Sequence, residues 1–304
     1  MRQYSTIGAT LRRLSSTFFL ALLAAVPSAC SRADSTPAVA TVGFATSRPR
    51  VAVGSPVDLT YKFDVAPNAQ IAGDYRVFVH VLNPDGEILW SDDHDPEPHT
   101  SQWKGGQHVQ YNRTIFVPPT PFTGDVNVEI GLYKDNDRLA LQGPDTADRE
   151  SPNRSYRVGT FQLAPPSENI FIIYKSGWHP SEFAPEDPKK EWQWTQKSAV
   201  LTLRNPRKDV TVYLQYDGRP DLFPGSPQNV TVLAGDQPVE TFVADSPVPS
   251  LRKIAISAAQ LGTAEMAEIR LDLDRTFVPA QLPAGGRDTR ELGIRIYKAF
   301  VEPR

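Results

Sequence analysis

YRVFVHVLNPDGEILWSDDHDPEPHTSQWKGGQHVQYNRTIFV, running from Tyr75 to Val117, is the stretch that decides the fold. Tyr75, Val77, Val79 and Val81 alternate with Arg76, Phe78, His80 and Leu82. A period of two puts the first set on one face of a strand. The second set mixes polar and apolar groups, which suits a half-covered face. Asn83-Pro84-Asp85-Gly86 then turns the chain, because proline presets φ and glycine accepts the left-handed geometry that follows. Glu87 to Trp90 pairs back as a hairpin. Ser91 to Gly106 is polar and punctuated by Pro96, Pro98 and Gly105-Gly106, the pattern of a loop. Alternation resumes at Val109, Tyr111, Ile115 and Val117. The stretch holds four of the five histidines and two of the five tryptophans, which makes it a first candidate for a working surface.

Outward from that stretch the pattern repeats. Val57, Leu59, Tyr61, Phe63 and Val65 alternate with polar residues, as do Val126, Val128, Ile130 and Leu132. Such alternation suits antiparallel sheets with one wet face. Tyr156 and Val158 share one phase, Phe161 and Leu163 the other, and a bulge near Gly159 reconciles them. With Val39–Ala45 this makes roughly seven strands, the number of an immunoglobulin-like β-sandwich. The Cys–Trp–Cys core of antibody domains is absent, so the expectation concerns architecture alone. Ala164-Pro165-Pro166 ends this unit.

A second strand series follows Ile170–Tyr174. Val210 to Tyr216 and Ile269 to Leu273 alternate, and Val230/Val232, Val239–Val243, Leu251–Ile256 and Leu292–Ile296 add more. Ser176–Lys190 reads as a proline-rich, charged loop and Ser257–Gly262 as one helical turn. Roughly eight strands are compatible with a jelly roll. The chain is therefore expected to be all-β, with two β-sandwich domains. Residues 38–165 form the immunoglobulin-like one and residues 166–304 the jelly-roll-like one.

The amino terminus reads as an export signal over residues 1–29. Arg2, Arg12 and Arg13 form a basic region, and Thr17–Val26 is an apolar run too short to span a bilayer core of about 30 Å. Ser28-Ala29 precede Cys30, the only cysteine. This resembles a bacterial lipoprotein signal, which implies that Cys30 is acylated and that residues 30–37 tether the chain to a membrane. Pro27 departs from that pattern, since an aliphatic residue is usual there. The alternative is ordinary signal cleavage with Cys30 incidental. A lone cysteine excludes an intramolecular disulfide and cysteine-rich zinc sites. A net charge of −3 disfavours nucleic acid as a partner.

Two constellations carry candidate chemistry. Asp92, Asp93 and His94 head the densest run of metal-ligand types, which could hold a divalent cation through oxygen and imidazole. The plainer reading is a solvated loop. Trp192 and Trp194 share one face of an extended chain, with Glu191 and Gln193 beside them. Exposed, the rings would form a platform for sugar, with the neighbours accepting hydroxyl hydrogen bonds. Buried, they would be packing. Asp288, Arg290 and Glu291 could pair with each other or fix the loop Pro279–Gly286. No nucleophile elbow, P-loop, dinucleotide fingerprint or HExxH occurs, so neither catalysis nor a cofactor is expected.

GDYRVFVHVLNPDGEILWSDDHDP, RTIFVPP and GDVNVEIGLY together resemble a β-sandwich module found in extracytoplasmic parts of bacterial envelope proteins. Some of these are membrane glycosyltransferases of the dolichyl-phosphate-mannose type. EWQWT, LTLRNP and PAGGRDTRELGIRI resemble a second module, similar in outline to galactose-binding-like jelly rolls. The resemblance implies a cell-envelope setting and brings no catalytic residues. Two functions from different classes follow. One is a lipid-anchored protein that binds envelope polysaccharide. The other is a structural or assembly partner in an envelope complex, with no small ligand.

Overall fold

The structure, a computed structural model, describes residues 36–144, 154–283 and 285–304. The expected signal segment and Cys30 lie outside the described residues. Asp34–Arg304 form one compact unit, and among the described residues it is almost entirely β, as the alternation implies. Its amino-terminal half holds β1 (Ala40–Thr46), β2 (Arg50–Ala52), β3 (Pro56–Val65), β4 (Arg76–Leu82), β5 (Ile88–Ser91), β6 (His108–Phe116), β7 (Gly124–Lys134), β8 (Asp137–Leu139), β9 (Leu141–Gln142) and β10 (Tyr156–Ala164). One sheet runs β6-β3-β1-β9 and the other β2-β10-β7-β4-β5, with β8 paired to β7.

The two sheets close on a shared core. Val57, Leu59, Tyr61, Phe63 and Val65 of β3 are buried, as are Val77, Val79 and Val81 of β4 and Val126, Val128 and Ile130 of β7. Each such side chain contributes on the order of 1.5–3 kcal/mol of transfer free energy, which is why one face of each strand is apolar. Phe78 and Leu82 on the opposite face of β4 are also buried, while His80 is half-buried. In β10 the register shifts between Arg157 and Gly159, the bulge required by its change of phase.

The carboxyl-terminal half holds β11 (Ile172–Trp178), β12 (Glu182–Ala184), β13 (Asp187–Arg204), β14 (Val210–Asp217), β15 (Gln228–Ala234), β16 (Gln237–Ala244), β17 (Ser250–Ile256), β18 (Met266–Leu273) and β19 (Arg295–Pro303). Strand β13 organises them. Its carboxyl-terminal part, Ser198–Arg204, pairs with β18 and β11, and its amino-terminal part pairs with β12 and, at Gln193 and Trp194, with β19. One strand thus supplies both layers, β16-β15-β18 on one side and β19-β14-β17 on the other. Leu201, Leu203, Val212, Leu214, Ile269, Leu271, Ile294 and Ile296 fill the space between. The short helix α1 (Ala258–Leu261) opens with a capping box of Ser257 and Gln260.

The segment Ser176–Lys190 differs from its reading as a loop. It contains the end of β11, all of β12 and the start of β13. Pro180 and Pro185 fall in the turns. Pro188 sits where the β12–β13 register shifts, so no ladder donor is demanded of it.

The halves are tied by polar contacts. Lys253 Nζ lies 2.6 Å from Asp58 Oδ1, Arg48 pairs with Glu302, and Asn169 Nδ2 donates to the Val53 carbonyl at 2.8 Å. Burial pushes the Asp58 carboxyl up, but hydrogen bonds from Lys253 and Thr114 outweigh it and hold the group below its ordinary value. Exposed ion pairs of this kind contribute at most about 1 kcal/mol each. Each half therefore rests on its own hydrophobic core, and residues 38–165 and 166–304 should each keep a β-type circular-dichroism spectrum when produced separately. Loss of structure in both pieces would mean that one core depends on the other.

Candidate functional site

In the loop after β5, Asp92 and His94 turn inward. His94 is buried at 5% exposure, and its backbone continues the sheet through a bridge to Val77. Its Nδ1 lies 2.7 Å from the Asp92 carbonyl oxygen, and its Nε2 lies 2.8 Å from the Tyr111 hydroxyl. A carbonyl can only accept, so Nδ1 carries the proton and Nε2 accepts from Tyr111. The Asp92 carboxylate accepts from the Tyr61 hydroxyl at 3.1 Å and from Arg113 at 3.0 and 3.2 Å. Asp93 accepts from the Val79 amide at 3.2 Å. All three side chains are thus committed to protein partners and leave no free imidazole lone pair for a cation. Among the described residues no group of three His, Cys, Asp or Glu is placed to hold a metal ion. This arrangement replaces the cation reading of Asp92, Asp93 and His94 with a structural network. Trp103, on the same loop, packs against Phe63 and donates its Nε1 to the Pro98 carbonyl at 2.8 Å.

Burial is the main reason that the His94 pKa lies below its ordinary 6.5, and it outweighs the pull of Asp92. The unfolded chain therefore binds a proton at a pH where the folded chain does not, so stability falls as pH drops below about 6.5. An imidazole titration followed by NMR should place the His94 midpoint below that value, and the urea midpoint should fall from pH 7 to pH 5. A His94 midpoint at or above 6.5 would contradict this account.

The second candidate lies on β13. Trp194 is buried at 7% exposure against Phe277 and Leu292, in a small cluster separate from the main core. Trp192 is half-buried beside it. Arg295 of β19 lies over both rings, with its guanidinium carbon 5.2 Å from the Trp192 centroid and 5.6 Å from that of Trp194. Asp217, at 1% exposure, holds Arg295 through two hydrogen bonds, one of them Nε to Oδ1 at 2.8 Å. The Tyr297 hydroxyl donates to the same carboxylate at 2.7 Å. Burial acts to lower the Arg295 pKa, but the hydrogen bond and charge of Asp217 raise it above its ordinary value.

The structure thus separates the two tryptophans. Trp194 serves the packing alternative, whereas Trp192 reaches a cleft of about 180 Å³ lined by Tyr174, Ser181, Glu191, Gln193, Ile296 and Tyr297. Two buried polar atoms there, Trp192 Nε1 and Gln193 Oε1, have no hydrogen-bond partner among the described residues. The hairpin that walls this cleft is anchored from below, as Arg290 pairs with Glu182 at 2.7 Å and with Asp288 at 2.6 Å. Asp288 also accepts from Ala280 through its carbonyl, so it fixes the Pro279–Gly286 loop as well. Arg295, Tyr297 and Asp217 were not singled out in the sequence. The alternation of Ile294 and Ile296 with Arg295 and Tyr297 could have marked the latter pair as sharing the tryptophans' face.

No protein-family model matches the chain, and no curated protein matches it. Solved structures resemble it at low identity. A family GH115 4-O-methyl-α-glucuronidase is 10% identical at a TM-score of 0.30, with 49% of this chain and 19% of that chain covered. A β-glucuronidase of Bacteroides uniformis is 11% identical at a TM-score of 0.30, over 90% of this chain and 30% of that one. The CBM51-2 and INT domains of Clostridium perfringens ZmpB are 8% identical at a TM-score of 0.20, over 58% and 38%. The chain therefore spans between 19% and 38% of these relatives' lengths.

Proposed function

We propose that this is a non-catalytic, glycan-binding protein of the bacterial cell envelope, held to a membrane by acyl chains on Cys30. The observation that carries the reading is the Trp192 cleft. Glu191, Trp192 and Gln193 line it together, and two of its polar atoms are buried without a partner among the described residues. An unsatisfied buried polar group costs about 1–3 kcal/mol. Side chains that turn toward the hydroxyls of a seated sugar would recover part of that cost. Half-buried Trp192 and Tyr297 supply flat apolar area, which suits a sugar ring. The Trp192 cleft holds a single carboxylate, Glu191, whereas glycoside hydrolysis in its common form needs a pair about 5–9.5 Å apart. Binding rather than turnover is the reading this supports.

One observation favours the second reading, an assembly partner with no small ligand. Phe171 is 79% exposed beside Tyr174 and Phe300, on the flank of β11, where apolar surface invites a protein neighbour.

Retention of the mature protein on envelope polysaccharide tests the first reading. A shallow site of this kind should bind with Kd on the order of 10 µM to 1 mM. Trp192→Ala should abolish retention and leave the circular-dichroism spectrum unchanged. Trp194→Ala should instead lower stability by about 3–5 kcal/mol, because that ring fills a core cluster. If no envelope polysaccharide retains the wild type, the assembly reading takes its place. Anchoring is tested separately. Acyl chains contribute about 0.8 kcal/mol per buried methylene, so Cys30→Ala should end incorporation of labelled palmitate and release the protein from membranes. Unchanged labelling in that variant would refute acylation at Cys30.

A further inference from the structure

A larger cleft adjoins the Trp192 cleft. Glu191 and Tyr297 line both, and from them a cleft of about 1020 Å³ runs to the amino-terminal half, where Trp90, Pro118 and Pro119 form its far wall. Lys190, Lys298 and Gln215 line the near wall. Neither lysine pairs with a carboxylate among the described residues. Lys298 Nζ instead lies 4.9 Å from the Phe116 ring centroid and Lys190 Nζ 6.0 Å from that of Tyr297. Elsewhere the lysines at 175 and 253 each sit against an acidic partner. Trp90 is nine-tenths buried in the wall, and its indole Nε1 also lacks a hydrogen-bond partner among the described residues. Among the described residues the cleft thus presents two ammonium groups without a carboxylate partner and an indole N–H without an acceptor.

Two carboxylates, Asp187 and Glu191, also line the cleft. Asp187 is already engaged within the chain, and the Tyr297 hydroxyl is spent on Asp217. Glu191 remains at the junction with the Trp192 cleft, where sugar hydroxyls would meet it. Desolvation by the surrounding protein lowers the Lys298 pKa, the signature of a cation held close to protein without a counter-charge.

We infer that the ligand is an anionic glycan, laid across both halves of the molecule with its acidic groups on Lys190 and Lys298 and a ring on Trp192. This rests on the glycan reading above and narrows it to a substrate class. Lysine recognises charge rather than shape, so uronate carboxylates and sulfate or phosphate esters share the required chemistry. The prolines at 118, 119, 188 and 249 stiffen the rims, which limits the ordering cost of binding a chain.

The test is retention of the purified mature protein on polygalacturonate, dextran sulfate, neutral dextran and, as a charged polymer without sugar, polyglutamate. The expected result is stronger retention on at least one anionic polysaccharide than on dextran or polyglutamate, weakened by salt. Comparison of the two anionic arms tells carboxylate from sulfate. Lys190→Gln and Lys298→Gln should each weaken that binding about 3- to 10-fold, the size of a partly exposed ion pair. Lys190→Arg and Lys298→Arg should retain it, and Lys208→Gln, outside the cleft, should change nothing. Equal retention on dextran with no effect of the lysine variants would overturn the anionic inference while the glycan reading stands. Equal retention on polyglutamate would reduce the cleft to a charge effect and overturn it too. Failure of every polysaccharide to bind would remove both readings together.

Discussion

Asp217 is a carboxylate with 1% exposure, and much of the carboxyl-terminal half is arranged around making that tolerable. An isolated buried charge costs several kcal/mol, so the group demands a partner of opposite sign with good geometry. Arg295 supplies it through a two-point contact, and Tyr297 adds a third hydrogen bond. Asp217 ends β14, while Arg295 and Tyr297 stand on β19, so the pair also pins the two strands in register. The guanidinium, once fixed, is a flat cation close to two indole rings. Trp192 and Trp194 pack on it from β13. A buried ion pair of this sort is weak evidence for stability. Its consequence here is positional: it holds the guanidinium against Trp192, beside the cleft.

The local features were legible in the sequence because each depends on nearest neighbours. The alternation of Val57 to Val65 is the buried face of β3, the phase change across Val158 and Phe161 is the bulge before Gly159, and the helical turn expected within Ser257–Gly262 is α1. Where the reading of Ser176–Lys190 as a loop departs from the structure, the reason is that proline content was weighed without knowing the edge. An edge strand that bulges at Pro188 tolerates what a central strand would not. The Asp92–His94 run misled in the opposite direction. Ligand types sit close in sequence there, but Tyr61, Tyr111 and Arg113 arrive from β3 and β6 to consume their hydrogen-bonding capacity. Those partners are separated by up to 31 residues, and no local pattern announces them.

The candidate site shows the same division. Glu191, Trp192 and Gln193 were visible as an aromatic pair with polar neighbours. That Trp194 is core while Trp192 is not could not be read from alternation, since both occupy one face. The difference lies in what covers them. Phe277 and Leu292, joined by an isolated bridge, bury Trp194 in their cluster, whereas Trp192 packs at its margin and stays partly exposed. Burial on a sheet face is set by the loop that crosses it, and the strand itself carries no trace of that loop.

The larger cleft was beyond the sequence for a stronger reason: its walls belong to different halves of the chain. Trp90 is a core residue of the first sandwich and packs on Phe161, while Lys298 is an outward position of β19. What brings them to one depression is the docking of the halves, held by Lys253 on Asp58, Arg48 on Glu302 and Asn169 on Val53. Each of these contacts is individually small. They act by restricting orientation rather than by adding stability, and the cleft exists only within that restricted set. A ligand bridging the two walls would bind the docked arrangement and not the undocked one, so by linkage it would strengthen the same weak contacts that create its site.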